Sequence, residues 1–226
     1  MAIRLLPFRQ YAEEDVVNLY ASTEACDSVS ALHAGDGDAG VFVSVSAGDF
    51  GADPVGYADN GYLGFTDYPF IGRNQYPTVP LKVVAAAAGD PVLGVTLLQT
   101  AQADENGEKL LYYPQKKLET QSVLTGEAVP VLGKGIVTLD KALAFDGSLP
   151  TPGNYVKIGA TDGKIADAGK NLPTGVNVEN ETIVGQVLAT GQRVNRGVSD
   201  DQFAGASVGT GAAGPNGTYA VVRINC

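Results

Sequence analysis

A chain of 226 residues, 44% hydrophobic and 18% charged, carries enough apolar material for one sizeable β domain or two small ones, and its composition is not that of a disordered polymer. Its 29 glycines and 12 prolines follow no period, which excludes collagen and promises many turns. The net charge of −10 is scattered, and the longest basic run is "QKKL" around Lys116 and Lys117, so no Lys/Arg cluster exists to release counterions from nucleic acid.

Residues 1–10 read as an extended arm: Pro7 forces Leu6 toward extended geometry, and Leu5, Leu6 and Phe8 are mixed with Arg4 and Arg9. The same residues do not make a secretory signal, because Pro7 and Arg9 break a short apolar run. "DVVNLYA" (Asp15–Ala21) puts Val17, Leu19 and Ala21 on one face of a strand, or Val16, Val17 and Tyr20 on a helical stripe; its shortness favours the strand. "HAGDGDAG" (His33–Gly40) is a turn-rich loop. "VFVSVSA" then alternates, with Val41, Val43 and Val45 on one face and Phe42, Ser44 and Ser46 on the other. The stretch Gly48–Pro80 is rich in Gly, Asp and Pro with Tyr57, Tyr62, Phe65, Tyr68, Phe70 and Tyr76 interleaved, and loops of this length are usually functional or held by a partner.

From Leu81 the pattern becomes regular. Strands are predicted at Leu81–Ala87, Pro91–Leu98, Leu110–Tyr113, Ala128–Leu132, Gly135–Leu139, Tyr155–Ile158, Ile183–Ala189 and Ala220–Ile224, with turn signals between them. "GEAVPVLGKGIVTL" (Gly126–Leu139) reads as a central hairpin, with Val129 and Val131 on its first strand, Gly133 and Gly135 at the turn, and Val137 and Leu139 returning. The longest apolar stretch, "VVAAAAGDPVLGVTLL", is split by Gly89, Asp90 and Pro91, so it offers no membrane span. Many short strands without a sustained helical pattern indicate an all-β fold, a small barrel or sandwich with an extended N-terminal arm and long loops. The expected organisation is an arm over 1–10, an N-terminal β region with the aromatic loop over 11–81, and a β domain over 82–226.

Reactive chemistry is sparse. His33 is the one histidine, and a Ser–His–Asp or Cys–His site would have to use it; it reads as a loop residue. One histidine and two distant cysteines cannot build a zinc cage. "GDGDAG" offers Asp36 and Asp38 but lacks the further ligands of a calcium loop, and reads as a tight turn. "GATDGK" (Gly159–Lys164) is one residue short of a phosphate-binding loop and has Ile165 where Ser or Thr is needed, so it reads as a hairpin turn. No catalytic residues, metal or cofactor are assigned. Cys26 and Cys226 suit a reduced compartment, with Cys226 expected to be a free, frayed thiol.

The strand order carries a resemblance. "GDPVLGVTLLQTA" (Gly89–Ala101), "TGEAVPVLGKGIVTL" (Thr125–Leu139), "GNYVKI" (Gly153–Ile158), "VGQVLATG" (Val184–Gly191) and "YAVVRIN" (Tyr219–Asn225) follow one another as in the capsid decoration (cement) proteins of tailed bacteriophages, and "YAEEDVVNLYA" (Tyr11–Ala21) is similar to the family's opening strand. The chain as a whole resembles virion structural proteins of marine cyanophages. It departs from short members of the family by the long segments Gly48–Pro80 and Gly191–Thr218.

The resemblance implies a non-enzymatic protein made in the host bacterial cytoplasm and bound to the outer surface of the capsid. Its partners would be the major capsid protein and its own copies as a homotrimer, with neither nucleic acid nor membrane involved. Arg4, Leu5, Leu6, Phe8, Arg9 and Tyr11 would make the contacts of the arm, and Phe65, Tyr68 and Phe70 those of the aromatic loop. On this reading residues 1–10 could be removed without loss of the fold. The alternatives are another virion part (a head-fibre base, neck or tail component) and, remotely, a carbohydrate-binding or carbohydrate-active virion protein.

Overall fold

The computed structural model describes residues 4–23, 26–28, 37–48, 79, 81–103, 108–110, 113–170, 183–192 and 218–226. In chain order the strands are β1 (Leu5–Gln10), β2 (Val16–Val17), β3 (Ala21–Ser22), β4 (Cys26–Ser28), β5 (Phe42–Ala47), β6 (Lys82–Ala85), β7 (Val92–Thr96) and β8 (Gln99–Ala103). They continue with β9 (Ser122–Val123), β10 (Val131–Leu132), β11 (Lys134–Asp140), β12 (Tyr155–Ile158), β13 (Ile165–Gly169), β14 (Ile183–Gln192) and β15 (Thr218–Asn225). Among the described residues two short helices intervene, α1 (Pro114–Glu119) and α2 (Lys141–Ala144), and a 3-10 turn covers Glu13–Asp15. The protein is all-β, with curled sheets forming a half-barrel.

The first sheet has the order β1-β11-β15-β14-β12-β13 and is antiparallel throughout. The second has the order β2-β10-β7-β5-β6-β3, and a small parallel sheet joins β4, β8 and β9. The second sheet draws strands from both sides of residue 82, since β5 pairs with β6 and β7.

The main core lies between the first two sheets. Leu5, Val137, Leu139, Val156, Val187 and Val222 of the first meet Phe42, Val95 and Leu132 of the second. A second cluster fills the opposite face of the second sheet with Val41, Val43, Val83, Val123, Val129 and Val131. A sheet covered on both faces needs apolar residues at consecutive positions, which is why Val41, Phe42 and Val43 are all fully buried. The simple alternation expected for "VFVSVSA" therefore fails at its far end. The register against β7 shifts between Val43 and Ser44, so Ser44 is buried, with its Oγ 3.5 Å from the Asp90 carboxylate, while Val45 is exposed.

Three expectations are corrected. "GEAVPVLGKGIVTL" is not a hairpin: β10 pairs with β2 and β7 in the second sheet, and β11 pairs with β1 and β15 in the first. The chain changes sheets at Gly133, whose N–H donates to the Asp15 carbonyl and whose carbonyl accepts from the Cys226 N–H. Secondly, Leu110–Tyr113 forms no strand among its described residues. Leu110 is buried, and Tyr113 caps α1, which starts at Pro114, where a missing N–H and a preset φ favour a helical first turn. Thirdly, residues 5–10 are not a detachable arm. They are β1, and Leu5 and Leu6 are buried, so their removal would open the core.

Candidate functional site: the bulged edge strand

The sequence-predicted contact residues divide into two groups. Arg4 is 1% exposed and lies inside the protein, its Nε 3.8 Å from Asp38 Oδ2. Its stem lies on Gly40, where a Cβ would come within 3.2 Å of Arg4 Cγ, and its carbonyl accepts from the Asp140 N–H. Leu5 and Leu6 are buried beside it. Phe8, Arg9 and Tyr11 reach the surface. Phe65, Tyr68 and Phe70 lie outside the described residues, as do His33 and Asp36.

Among the described residues β1 is an edge strand, hydrogen-bonded in its sheet to β11 alone. Leu5 pairs with Leu139 and Leu6 with Thr138; the register then jumps, and Arg9 pairs with Val137. Pro7 and Phe8 are therefore looped out. Proline has no N–H to give a ladder, so a bulge on an edge strand is where it costs least. Phe8 is left 62% exposed. Arg9 spans the bulge: its Nε donates to the Leu6 carbonyl at 3.2 Å, and its Nη1 lies 3.5 Å from the Leu97 carbonyl next to the second sheet. Beyond the bulge Tyr11, 40% exposed, lies against Gly135, where a Cβ would fall 2.7 Å from Tyr11 Cβ.

A groove of about 590 Å³ runs beside this edge, lined by Pro7, Arg9, Gln10, Tyr11 and Gln121. Gln121 comes from the turn after α1 and holds a left-handed backbone, φ 52°. The turn is fixed by Gln99, whose Nε2 donates to the Thr120 carbonyl at 3.2 Å and to Ser122 Oγ at 2.9 Å. Leu118 and Tyr113, on and before α1, are also exposed. Pro7, Gln10 and Gln121 were not singled out by the sequence. The one local signal was a proline inside an otherwise strand-like run, and nothing in the chain order brings Gln121 to it.

The other well-placed carboxylates serve turns. Asp146 Oδ2 accepts from the N–H groups of Ala160 and Thr161, bracing the β12–β13 turn that contains "GATDGK". Asp167 accepts from Asn154 Nδ2 and from the Gly169 N–H. Glu127 takes both an ion pair with Lys117 at 2.8 Å and the Leu124 N–H. Asp140 caps α2 through the Ala142 N–H. No group of three His, Cys, Asp or Glu is placed to hold a metal among the described residues. Cys226 is a free, exposed cysteine, as expected, but its backbone is held: its N–H donates to the Gly133 carbonyl, its Sγ lies 3.9 Å from the Val184 carbonyl, and desolvation of the sulfur pushes the thiol up to about 12.

Comparison with protein-family models, with curated proteins and with solved structures finds no match. No helix among the described residues is long and apolar enough to cross a membrane.

Proposed function

We propose that this chain is a virion structural protein, a capsid decoration protein that acts by contact and not by chemistry. The observation that carries the reading is Phe8, set out from β1 on a bulge that Arg9 braces. A phenylalanine held in water forgoes roughly 1.5–3 kcal/mol that burial would return. A braced bulge that keeps it out is readily understood if another protein covers it. One such contact is weak. Repeated over many copies on a shell it gives a large combined hold.

The resemblance supplies the partners: the major capsid protein on the outer face of the phage head, and further copies of this chain as a homotrimer. The test is occupancy of purified heads by Phe8→Ser, a substitution at an exposed site that leaves the core intact. Occupancy measured by quantitative gel is expected to fall at least about tenfold. Full occupancy would overturn the role of Phe8. Failure of the unsubstituted chain to bind heads would overturn the reading itself.

A further inference from the structure

We propose that the free edge of β1 is a two-fold contact between two copies of this chain, with the strands antiparallel and Tyr11 on the axis. This is a second contact between copies, separate from the three-fold one that the shell-binding reading places on the head, and it does not depend on that reading.

Among the described residues the edge is open: β1 is hydrogen-bonded in its sheet only to β11, and Pro7, Gln10, Tyr11 and Ala12 are all exposed. The chain stays extended past the strand end, with Ala12 at φ −90° and ψ 149°. An open edge of this kind is a template for another strand. The groove of about 590 Å³ lies along this same stretch, so no described side chain fills the approach to it.

The sequence around Tyr11 says what fits there. In an antiparallel pair with Tyr11 opposite itself, Gln10 faces the partner's Ala12, and the partner's Glu13, which opens the 3-10 turn just past the extended stretch, is brought to the Arg9 end; symmetry makes each approach occur twice. The charges needed are available. Arg9 spends two of its five N–H donors on the backbone carbonyls of Leu6 and Leu97 and meets no carboxylate among the described residues. Glu13 and Glu14 are exposed in the 3-10 turn, and neither side chain has a hydrogen bond or ion pair among the described residues. Two chains of net charge −10 repel in general, so a contact between them needs a place where a cation meets an anion of the other copy. The β1 edge offers such a place.

The register is also bounded. The Pro7–Phe8 bulge interrupts the edge on one side, and the turn at Glu13–Asp15 ends it on the other. What remains is short, so one alignment is favoured and slipped ones are not. So small a contact makes a weak dimer, with dissociation in the micromolar range or above.

The test uses the full chain alone in solution. Sedimentation velocity over a concentration series should show a reversible dimer, weakened about tenfold in Glu13→Arg and by added salt. In a Cys26→Ser, Cys226→Ser background, Tyr11→Cys should form a disulfide-linked dimer on mild oxidation, because a residue on the axis faces its own copy. Leu19→Cys, an exposed control, should not. A chain that stays monomeric at high micromolar concentration overturns the proposal. So does a dimer that ignores Glu13→Arg and fails to cross-link through Tyr11→Cys. Because heads play no part, a negative result here leaves the shell-binding reading standing, and the reverse also holds.

Discussion

Arg9 closes over the bulge that precedes it, its Nε donating to the carbonyl of Leu6 at 3.2 Å. A hydrogen bond from a charged donor to a backbone carbonyl contributes about 1.5–3 kcal/mol when sheltered, and less at this half-buried site. Arg9→Ala is expected to lower global stability by about 1 kcal/mol. It should speed amide exchange along β1 far more than along β15. Arg9→Lys should not restore protection, since an ammonium lacks the planar fork that serves two separate carbonyls. Equal exchange in both strands of Arg9→Ala would show that the guanidinium braces nothing.

Gly94 lies where β7 meets β10. A Cβ there would sit 2.2 Å from the Leu132 carbonyl oxygen, and neither backbone can move without breaking the ladder. Gly94→Ala is expected to cost about 3 kcal/mol or more in chemical denaturation. Gly147 makes the control: its φ is +84° but nothing lies within 4 Å of a Cβ, so Gly147→Ala should cost only about 1 kcal/mol.

Thr96 ties the loop before β5 to the second sheet. Its Oγ1 accepts from the Val41 N–H at 3.1 Å and donates to the Asp38 carbonyl at 2.9 Å. Thr96→Val keeps the shape and strands a buried N–H, so a loss of about 1–3 kcal/mol is expected. Thr96→Ser should retain most of the stability, which separates the hydroxyl from the methyl.

Deleting residues 1–10 is now expected to compromise folding. It removes a strand, the buried Leu5 and Leu6, and Arg4, which is paired with Asp38. Losing one buried leucine alone costs about 2–5 kcal/mol. The truncated chain should lose its cooperative thermal transition by circular dichroism, while the point variant Phe8→Ser keeps it.

Cys226 carries a pH prediction. Its thiol pKa is raised to about 12 from an ordinary 9.0. The folded form therefore keeps its proton where the unfolded form has lost it, so this group's contribution to stability is complete below pH 9 and is lost as pH rises toward 12. At pH 8 native Cys226, though exposed, should be alkylated more slowly than in denaturant because less of it is thiolate, in a Cys26→Ser background that isolates it. Equal rates in the two states would contradict the raised pKa.

The chain displays its local structure openly and its long-range structure hardly at all. Tyr155–Ile158 has the predicted ends because alternation and flanking turns are local properties. β15 and β14 extend the predicted strands by a few residues. β8, "QTAQA", went unseen because it is polar and takes its place from parallel neighbours distant in sequence. The Gly133 corner was misread for a related reason: a glycine at a hairpin turn and one at a passage between sheets have the same neighbours in the chain. Arg4 looked like a surface residue because its partner, Asp38, is found only after folding. The candidate site was half legible. Phe8, Arg9 and Tyr11 lie on it, whereas Gln121 reaches it through a helix that the apolar run at Leu110–Tyr113 concealed.

The position of β15 governs the order in which the protein can be built. This strand, latest of those described, sits between β11 and β14 and not at a margin of the sheet. As the chain leaves the ribosome, β1 can meet β11 early, but the far side of β11 and one side of β14 must wait with their backbone groups unpaired. The half-barrel is complete only once Val222 and Ile224 are in the core and the Cys226 N–H has reached Gly133. A sheet completed from its middle by its newest strand folds slowly and depends on distant contacts. Until that strand is in place, the unpaired edges of β11 and β14 are open to association with neighbouring chains.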